Sequence, residues 1–117
     1  MRQEDRELLL KDLCARLPYG VKIKLIRWDI DEGMYINTTL EPDDIERLLN
    51  VEEGNTEIKP YLFPLSSITK KRLEELSEYI DIKNAYVAVE FFNSHHIDYR
   101  GLIEKGLAID ATGLGIY

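Results

Sequence analysis

The chain has 117 residues, of which 44% are hydrophobic, and a formal net charge of −7. This length fits one domain, residues 1–117, which should bury roughly two thirds of its unfolded surface. The negative charge disfavours binding to nucleic-acid backbones, because such proteins need clustered lysine and arginine. A single cysteine, a charged start to the sequence and no apolar run long enough for a membrane span predict a soluble cytoplasmic protein.

The first third of the sequence predicts a helix followed by a β-hairpin. Leucines recur every four residues over 4–17, which places one apolar stripe on a helix. Pro18 and Gly20 should end that helix. Two segments, 21–26 and 34–40, then alternate apolar and polar residues with a turn between them. This period of two predicts a pair of antiparallel strands.

The most acidic part of the sequence is predicted to contain a short helix. Residues 41–57 hold seven acidic residues and one arginine, for a net charge of −6. Pro42 suits the first position of a helix. Asp43, Asp44 and Glu46 would then lie near the positive end of that helix. These carboxylates would suit a basic partner protein, although a solvated helix face is the more common role of such a cluster.

A segment rich in proline and aromatic residues predicts the third strand of the sheet. Residues 56–62 favour extended structure. Pro60 should make this strand an edge strand or end it early, because proline lacks the N–H of a ladder hydrogen bond. Tyr61 and Phe63 would suit a recognition edge that accepts another strand. Packing over the core is the more common role of such residues.

Two further helices are predicted after this strand. Thr69 is a good N-cap for a helix over 70–80, and Leu73, Leu76 and Ile80 within it are spaced as one buried face. Asp98 is expected to cap a last short helix over 99–105. Gly106 should end that helix in the left-handed conformation of a Schellman motif.

The remaining segments give weaker signals. Residues 85–92 combine aromatic and β-branched residues, which favour a strand, with apolar positions spaced for a helix. Residues 110–117 are rich in glycine and predict a loosely held tail. Arg100 is expected to form a surface ion pair with Glu104 or Asp98.

Together these elements predict an α+β fold. An N-terminal helix, a small antiparallel β-sheet of about three strands and a C-terminal helical segment should form a single domain. The helical segment is expected to pack on one face of the sheet, which leaves the other face or an edge for contact with a partner.

The histidine pair offers an alternative function based on metal binding. His95, His96 and Asp98 carry side chains of the types that bind zinc. Adjacent residues of a helix point about 100° apart, so both histidines would not easily bind one ion. A core-packed histidine is therefore the favoured role, and a small metal-binding or hydrolytic protein is the alternative. Cys14 lies beside the apolar stripe, which predicts a buried and inert thiol.

Three segments in order resemble proteins of one bacterial group. They are residues 9–22, 59–69, which begin Lys-Pro-Tyr-Leu-Phe-Pro, and 93–107, which begin Asn-Ser-His-His-Ile-Asp-Tyr-Arg-Gly. They resemble a group of small uncharacterised proteins of gut Bacteroides and of their prophages and mobile elements. In that group the segment before the histidines has a helical character, so the resemblance implies a helix over 85–96. It implies no catalytic residue.

The sequence as a whole favours a non-enzymatic interaction or regulatory protein. It contains no glycine-rich phosphate loop, nucleophile elbow or paired cysteines. We expect a protein partner, no cofactor and no membrane contact. The residues expected to contact the partner are Asp43, Asp44, Glu46, Tyr61 and Phe63. A further alternative is an acidic inhibitor that imitates nucleic acid with the carboxylates of 41–57.

Overall fold

The computed structural model describes residues 2–27, 34–49, 56–68, 74 and 85–117. Within these ranges the chain has the α+β fold that the sequence predicts. Its elements in chain order are α1 (Gln3–Arg16), β1 (Lys22–Arg27), β2 (Met34–Thr39), α2 (Pro42–Leu49), β3 (Thr56–Pro64), α3 (Ala85–Ser94), β4 (Ile97–Asp98) and β5 (Ile109–Asp110). The predicted helix over 70–80 lies outside the described residues, apart from position 74.

Both ends of helix α1 have residues that favour a helix boundary. Acidic residues occupy its first turn and Arg16 its last, which complements the helix dipole. A 3₁₀ turn over Leu17–Tyr19 follows, and Gly20 leaves it with a φ of 68°, in the left-handed region that glycine tolerates. Leu9 and Leu13 are fully buried. Burial of each leucine side chain contributes about 1.5–3 kcal/mol to folding.

The predicted hairpin is confirmed. Strands β1 and β2 pair antiparallel, with a register that runs from Lys22 opposite Thr39 to Arg27 opposite Met34. Ile23 and Leu25 are buried, whereas the lysines that alternate with them are half-buried. The period of two therefore separates a core face from a more exposed face.

Strand β3 does not behave as Pro60 predicts. It pairs antiparallel with β1 over residues 56–60 and then continues to Pro64, so it neither ends early nor lies at the edge of the sheet. Pro60, opposite Ile23, is the last residue of β3 that pairs with β1. The missing N–H is tolerated at this point because the antiparallel ladder ends there.

The sheet is mixed rather than purely antiparallel, and it has five strands rather than about three. Beyond Pro60, β3 pairs in parallel with β4 at Phe63 and Pro64 and with β5 at Tyr61 and Leu62. The strand order is β2-β1-β3-β4, with β5 also paired to β3. Each added strand has only two residues, too few for a periodic sequence signal.

The region after β3 contains one confirmed helix and one correction. Helix α3 confirms the helix implied for 85–96. The predicted helix over 99–105 is instead a single turn, closed by Leu107 N–H to Leu102 O at 2.9 Å and Gly106 N–H to Ile103 O at 3.1 Å. These are the two hydrogen bonds of the Schellman motif, and Gly106 has the expected left-handed φ of 74°.

One hydrophobic core joins α1, the sheet and the turn before β5. Its members, all nearly or fully buried, are Leu9, Leu13, Val21, Ile23, Leu25, Leu40, Leu48, Ile58, Leu62, Leu102, Leu107 and Ala108. Among the described residues, no helix has the length and apolar character needed to cross a membrane.

Candidate functional site

The N-terminal end of α2 presents carboxylates to solvent. Glu41, Asp43 and Glu46 are exposed, whereas Asp44 is buried. Asp44 Oδ2 accepts a hydrogen bond from Glu41 N–H at 2.9 Å, and Asp44 N–H donates to Glu41 O at 3.0 Å. This reciprocal pairing satisfies an N–H at the helix start and resembles half of a capping box. Asp44 therefore fixes the start of α2, and its neighbours remain available for contact.

The two aromatic residues predicted to bind a partner lie apart from these carboxylates, on β3. Tyr61 is 5% exposed, and its hydroxyl donates to Asn37 Oδ1 of β2 at 2.7 Å. Phe63 is half-buried and lies against Tyr117, with ring centroids 5.7 Å apart. Both side chains thus pack within the chain, the more common of the two roles weighed from the sequence.

The histidine pair splits into an exposed and a half-buried residue. His95 is exposed and stacks on Phe91, with centroids 4.2 Å apart, and its Nδ1 lies 3.0 Å from Phe91 O. His96 stacks on Tyr117 at 4.0 Å and 12° between planes. Its Nδ1 is buried and has no hydrogen-bond partner within the part of the chain that is described.

The environment of His96 disfavours its protonated form. Burial is the main cause, and the positive charges of Arg16 and His95 add to it, so the pKa of His96 falls to about 4. His96 also has a φ of 59°, in the left-handed region that non-glycine residues rarely adopt. Both features place a neutral imidazole in a fixed position between α3 and β4.

The carboxylate of Asp98 caps the turn that follows it, so both of its oxygens are already engaged. Its two carboxylate oxygens accept hydrogen bonds from Leu102 N–H and Ile103 N–H, each at 2.9 Å. No group of three or more His, Cys, Asp or Glu side chains in the described residues is placed to hold a metal ion. Metal binding by His95, His96 and Asp98 stays a prediction.

A buried arginine cluster, which sequence reasoning missed, joins α1 to the segment after α3. We define it as Asp12, Arg16, Tyr99 and Arg100. Asp12 and Arg16 are fully buried and form an ion pair of 2.7 Å between Oδ2 and Nε. Arg16 also donates to Ile97 O at 2.5 Å and to Phe92 O at 3.5 Å. The guanidinium thereby binds one carbonyl group of β4 and one of α3.

The second arginine of this cluster reaches the same carboxylate from the other segment. Arg100 Nε donates to Asp12 Oδ1 at 3.1 Å, and its Nη2 donates to the hydroxyl of Tyr99 at 3.0 Å. The expected ion pair with Glu104 or Asp98 is therefore replaced by a pair with Asp12. Both guanidinium carbons also lie over the Tyr99 ring, at 5.3 Å for Arg16 and 4.8 Å for Arg100.

Hydrogen bonding in the arginine cluster favours a structural role. One carboxylate faces two guanidinium groups, and the Arg100 side chain keeps only 18% of its surface exposed. The geometry thus positions the segment after α3 against α1.

Cys14 differs from its prediction in being exposed on α1. The described histidines are engaged with aromatic rings, and the buried acids bind backbone or arginine groups. The exposed carboxylates of α2 are the predicted site residues that the fold leaves open to a partner. No protein-family model, no curated protein and no solved structure matches the chain.

Proposed function

We propose that the chain is a non-enzymatic interaction protein that binds a basic surface of a partner protein through α2. The single observation that carries this proposal is the separation of roles at the start of that helix. Asp44 points inward and caps the helix, while Glu41, Asp43 and Glu46 are exposed around it. The carboxylates are therefore presented from a fixed backbone, which lowers the entropy lost on binding.

An apolar residue extends this surface. Leu49 lies one helical turn after Glu46 and is 60% exposed. Protein interfaces combine apolar contacts at their centre with polar groups at their rim. Leu49 would supply such a contact beside the carboxylates, and the carboxylates would select a partner rich in lysine or arginine.

The proposed setting is the cytoplasm of a bacterium, with a regulatory role of bacterial or prophage origin. The net charge of −7 supports a protein partner over a nucleic acid, since phosphate groups would be repelled. Association through exposed charges is accelerated by electrostatic steering and weakened by salt. Binding should accordingly decline as the salt concentration rises.

The test is affinity capture from bacterial lysate with two variants of equal charge. The first variant carries Glu41→Gln, Asp43→Asn and Glu46→Gln. The matched control carries Glu4→Gln, Glu7→Gln and Glu104→Gln, which removes three exposed carboxylates elsewhere. Nuclease treatment of all samples separates protein partners from nucleic acid.

A protein that the wild type and the control retain, but that the α2 variant loses, supports the proposal. The wild type and the control should also retain less of this protein at high salt. If the α2 variant retains the same proteins as the control, the surface on α2 is not the binding site. Circular dichroism of both variants establishes that the fold is intact.

A further inference from the structure

Residues 111–117, here called the strap, fold back over the sheet after β5. Leu114 N–H donates to Ala111 O at 3.1 Å, which forms a turn near the start of the strap. Gly113 and Gly115 have positive φ values of 75° and 66°. At its far end, the Tyr117 side chain lies against β1 and β3 and is 43% exposed. The strap, predicted from sequence as a loose tail, is thus tied to the domain at both ends, by Ala111 N–H to Leu62 O at 2.8 Å and by the Tyr117 side chain.

The hydroxyl of Tyr117 completes the β1–β3 ladder. Tyr117 Oη accepts a hydrogen bond from Lys22 N–H at 2.8 Å and donates one to Tyr61 O at 2.7 Å. The antiparallel register ends with Ile23 opposite Pro60, so Lys22 and Tyr61 are the next pair along the strands. The phenol therefore bridges the Lys22 N–H and the Tyr61 C=O, just beyond the point where the β1–β3 ladder ends.

Two aromatic rings contact the ring of Tyr117, which is 43% exposed. His96 stacks on it at 4.0 Å with an interplanar angle of 12°, and Phe63 lies 5.7 Å away at 48°. Partial burial raises the pKa of the Tyr117 hydroxyl to about 12, so the phenol remains protonated and able to donate. We call the space between His96, Phe63, Lys22 N–H and Tyr61 O the phenol slot.

The walls of the phenol slot belong to elements outside the strap. Phe63 N–H donates to His96 O at 2.8 Å, and His96 N–H donates to Asn93 O at 3.3 Å. These bonds join β3 to the end of α3 and fix the backbone of His96. Lys22 is held by β1 and Tyr61 by β3. The slot therefore does not depend on Tyr117 for its backbone connections.

We propose that the phenol slot is a binding site for a phenol group, which Tyr117 occupies while the strap is closed. When the strap opens, the slot receives a phenol from outside, carried by a tyrosine residue or by a small phenolic compound. The ligand must both donate to Tyr61 O and accept from Lys22 N–H, and a phenolic hydroxyl does both. This inference is independent of the surface on α2.

The test uses the full chain with Tyr117→Ala, which empties the slot without changing its walls. p-Cresol, the side chain of tyrosine without its backbone, is titrated and followed by NMR. We expect saturable binding with a dissociation constant on the order of 1 mM, as suits a ligand of this size. The Lys22 amide and the His96 ring signals should move together. Wild-type protein should bind at least about tenfold more weakly, because its own Tyr117 fills the slot.

A second ligand tests the hydrogen bonds. 4-Methylanisole has nearly the same shape as p-cresol but cannot donate to Tyr61 O, so it should bind about tenfold more weakly. N-acetyl-tyrosinamide distinguishes the two sources of the phenol. If it also binds, the slot accepts a tyrosine residue; if only p-cresol binds, the slot accepts a free phenolic compound.

The proposal is overturned if p-cresol does not saturate, if it binds wild type and Tyr117→Ala equally, or if 4-methylanisole binds as tightly. Tyr117→Phe guards against loss of folding in the alanine variant, because it keeps the stacked ring. In that variant the Lys22 amide should exchange with solvent at least about tenfold faster, while the His96 ring signals stay in place. Unchanged exchange at Lys22 would show that the hydroxyl does not bridge the strands.

Discussion

The carboxylate of Asp12 and the guanidinium of Arg16 form a fully buried ion pair, one helical turn apart on α1, with 2.7 Å between Oδ2 and Nε. The same carboxylate binds Arg100, which lies 88 residues later in the sequence. One acidic side chain thereby holds two distant parts of the chain together. Its removal would leave a buried guanidinium without its countercharge.

We expect Asp12→Asn to lower the free energy of unfolding by about 3–5 kcal/mol, the range found when one partner of a buried ion pair is removed. Chemical denaturation followed by circular dichroism measures this change. Glu7→Gln is the control, because Glu7 is an exposed carboxylate on the same helix. Its effect should stay below about 0.5 kcal/mol. Equal effects of the two substitutions would contradict the structural role of Asp12.

Asp98→Ala should destabilise the protein by about 1–2 kcal/mol, since two backbone N–H groups lose their acceptor. Asp98→Asn should cost less, because the amide keeps one oxygen that accepts a hydrogen bond. Thermal unfolding with and without Zn²⁺ also tests the metal hypothesis. A rise in melting temperature with Zn²⁺ that Asp98→Asn and His95→Ala both abolish would assign a metal-binding role to these residues instead.

His96 should make stability depend on pH in the acidic range. The folded state lowers the pKa of His96 to about 4, below the ordinary value of 6.5, and so favours the neutral ring. As the pH falls from about 6.5 to about 4, the unfolded state binds a proton that the folded state does not. The stabilisation is therefore present at neutral pH and is lost over this window. The groups that face the ring are Arg16 from α1, His95 from α3 and Tyr117 from the strap.

Two measurements check this pH dependence. NMR titration of the His96 ring in the folded protein should give a pKa of about 4. His96→Gln should lose less stability than the wild type between pH 7 and pH 4, whereas His95→Gln should keep most of the wild-type dependence, because it removes only the smallest of the three causes. An ordinary pKa of about 6.5 for His96 would contradict the buried, neutral ring.

Gly106→Ala should cost about 1–2 kcal/mol. Gly106 has a φ of 74°, and no atom within 4 Å would contact an added Cβ, so backbone strain alone sets the penalty. Gly106→Asn should cost less, since asparagine tolerates the left-handed region better than alanine. Urea denaturation of the wild type and the two variants measures the order of their unfolding free energies. An alanine variant as stable as the wild type would mean that the turn changes its conformation.

Cys14 should react with a thiol reagent in the folded protein, because it is exposed on α1. Labelling by iodoacetamide without denaturant should approach one group per chain. Cys14→Ser should change stability by no more than about 0.5 kcal/mol, as is usual for surface positions. Labelling that appears only after denaturant is added would contradict the exposed position.

Local patterns predicted much of this fold. The alternation over 21–26 and 34–40 gave the hairpin, because a strand with one buried face repeats every two residues. Asp98 and Gly106 gave the cap and the left-handed end of the turn, although the segment between them is too short for a helix. Both features depend on neighbours in sequence, which is why the sequence alone reveals them.

Contacts between distant segments were not predicted, because they leave little local signal. The two-residue strands β4 and β5 have no periodicity of their own and form only against β3. The arginine cluster did leave one sign on α1. Leu9, Asp12, Leu13 and Arg16 follow the i, i+3, i+4, i+7 spacing of a single helix face. An acid and a base within an apolar face indicate a buried ion pair, whereas Cys14 lies off this face.

The long separations of these contacts set the order in which the chain can fold. Arg16 binds Ile97 O across 81 residues, and Lys22 binds Tyr117 across 95. During synthesis, α1 is made long before these partners, so the guanidinium of Arg16 at first has only Asp12, on the same helix, as its partner. Contacts between residues this far apart in sequence slow folding, because a long loop must close before they form. The arginine cluster is therefore complete only after the segment following α3 has been synthesised and has closed onto the first helix.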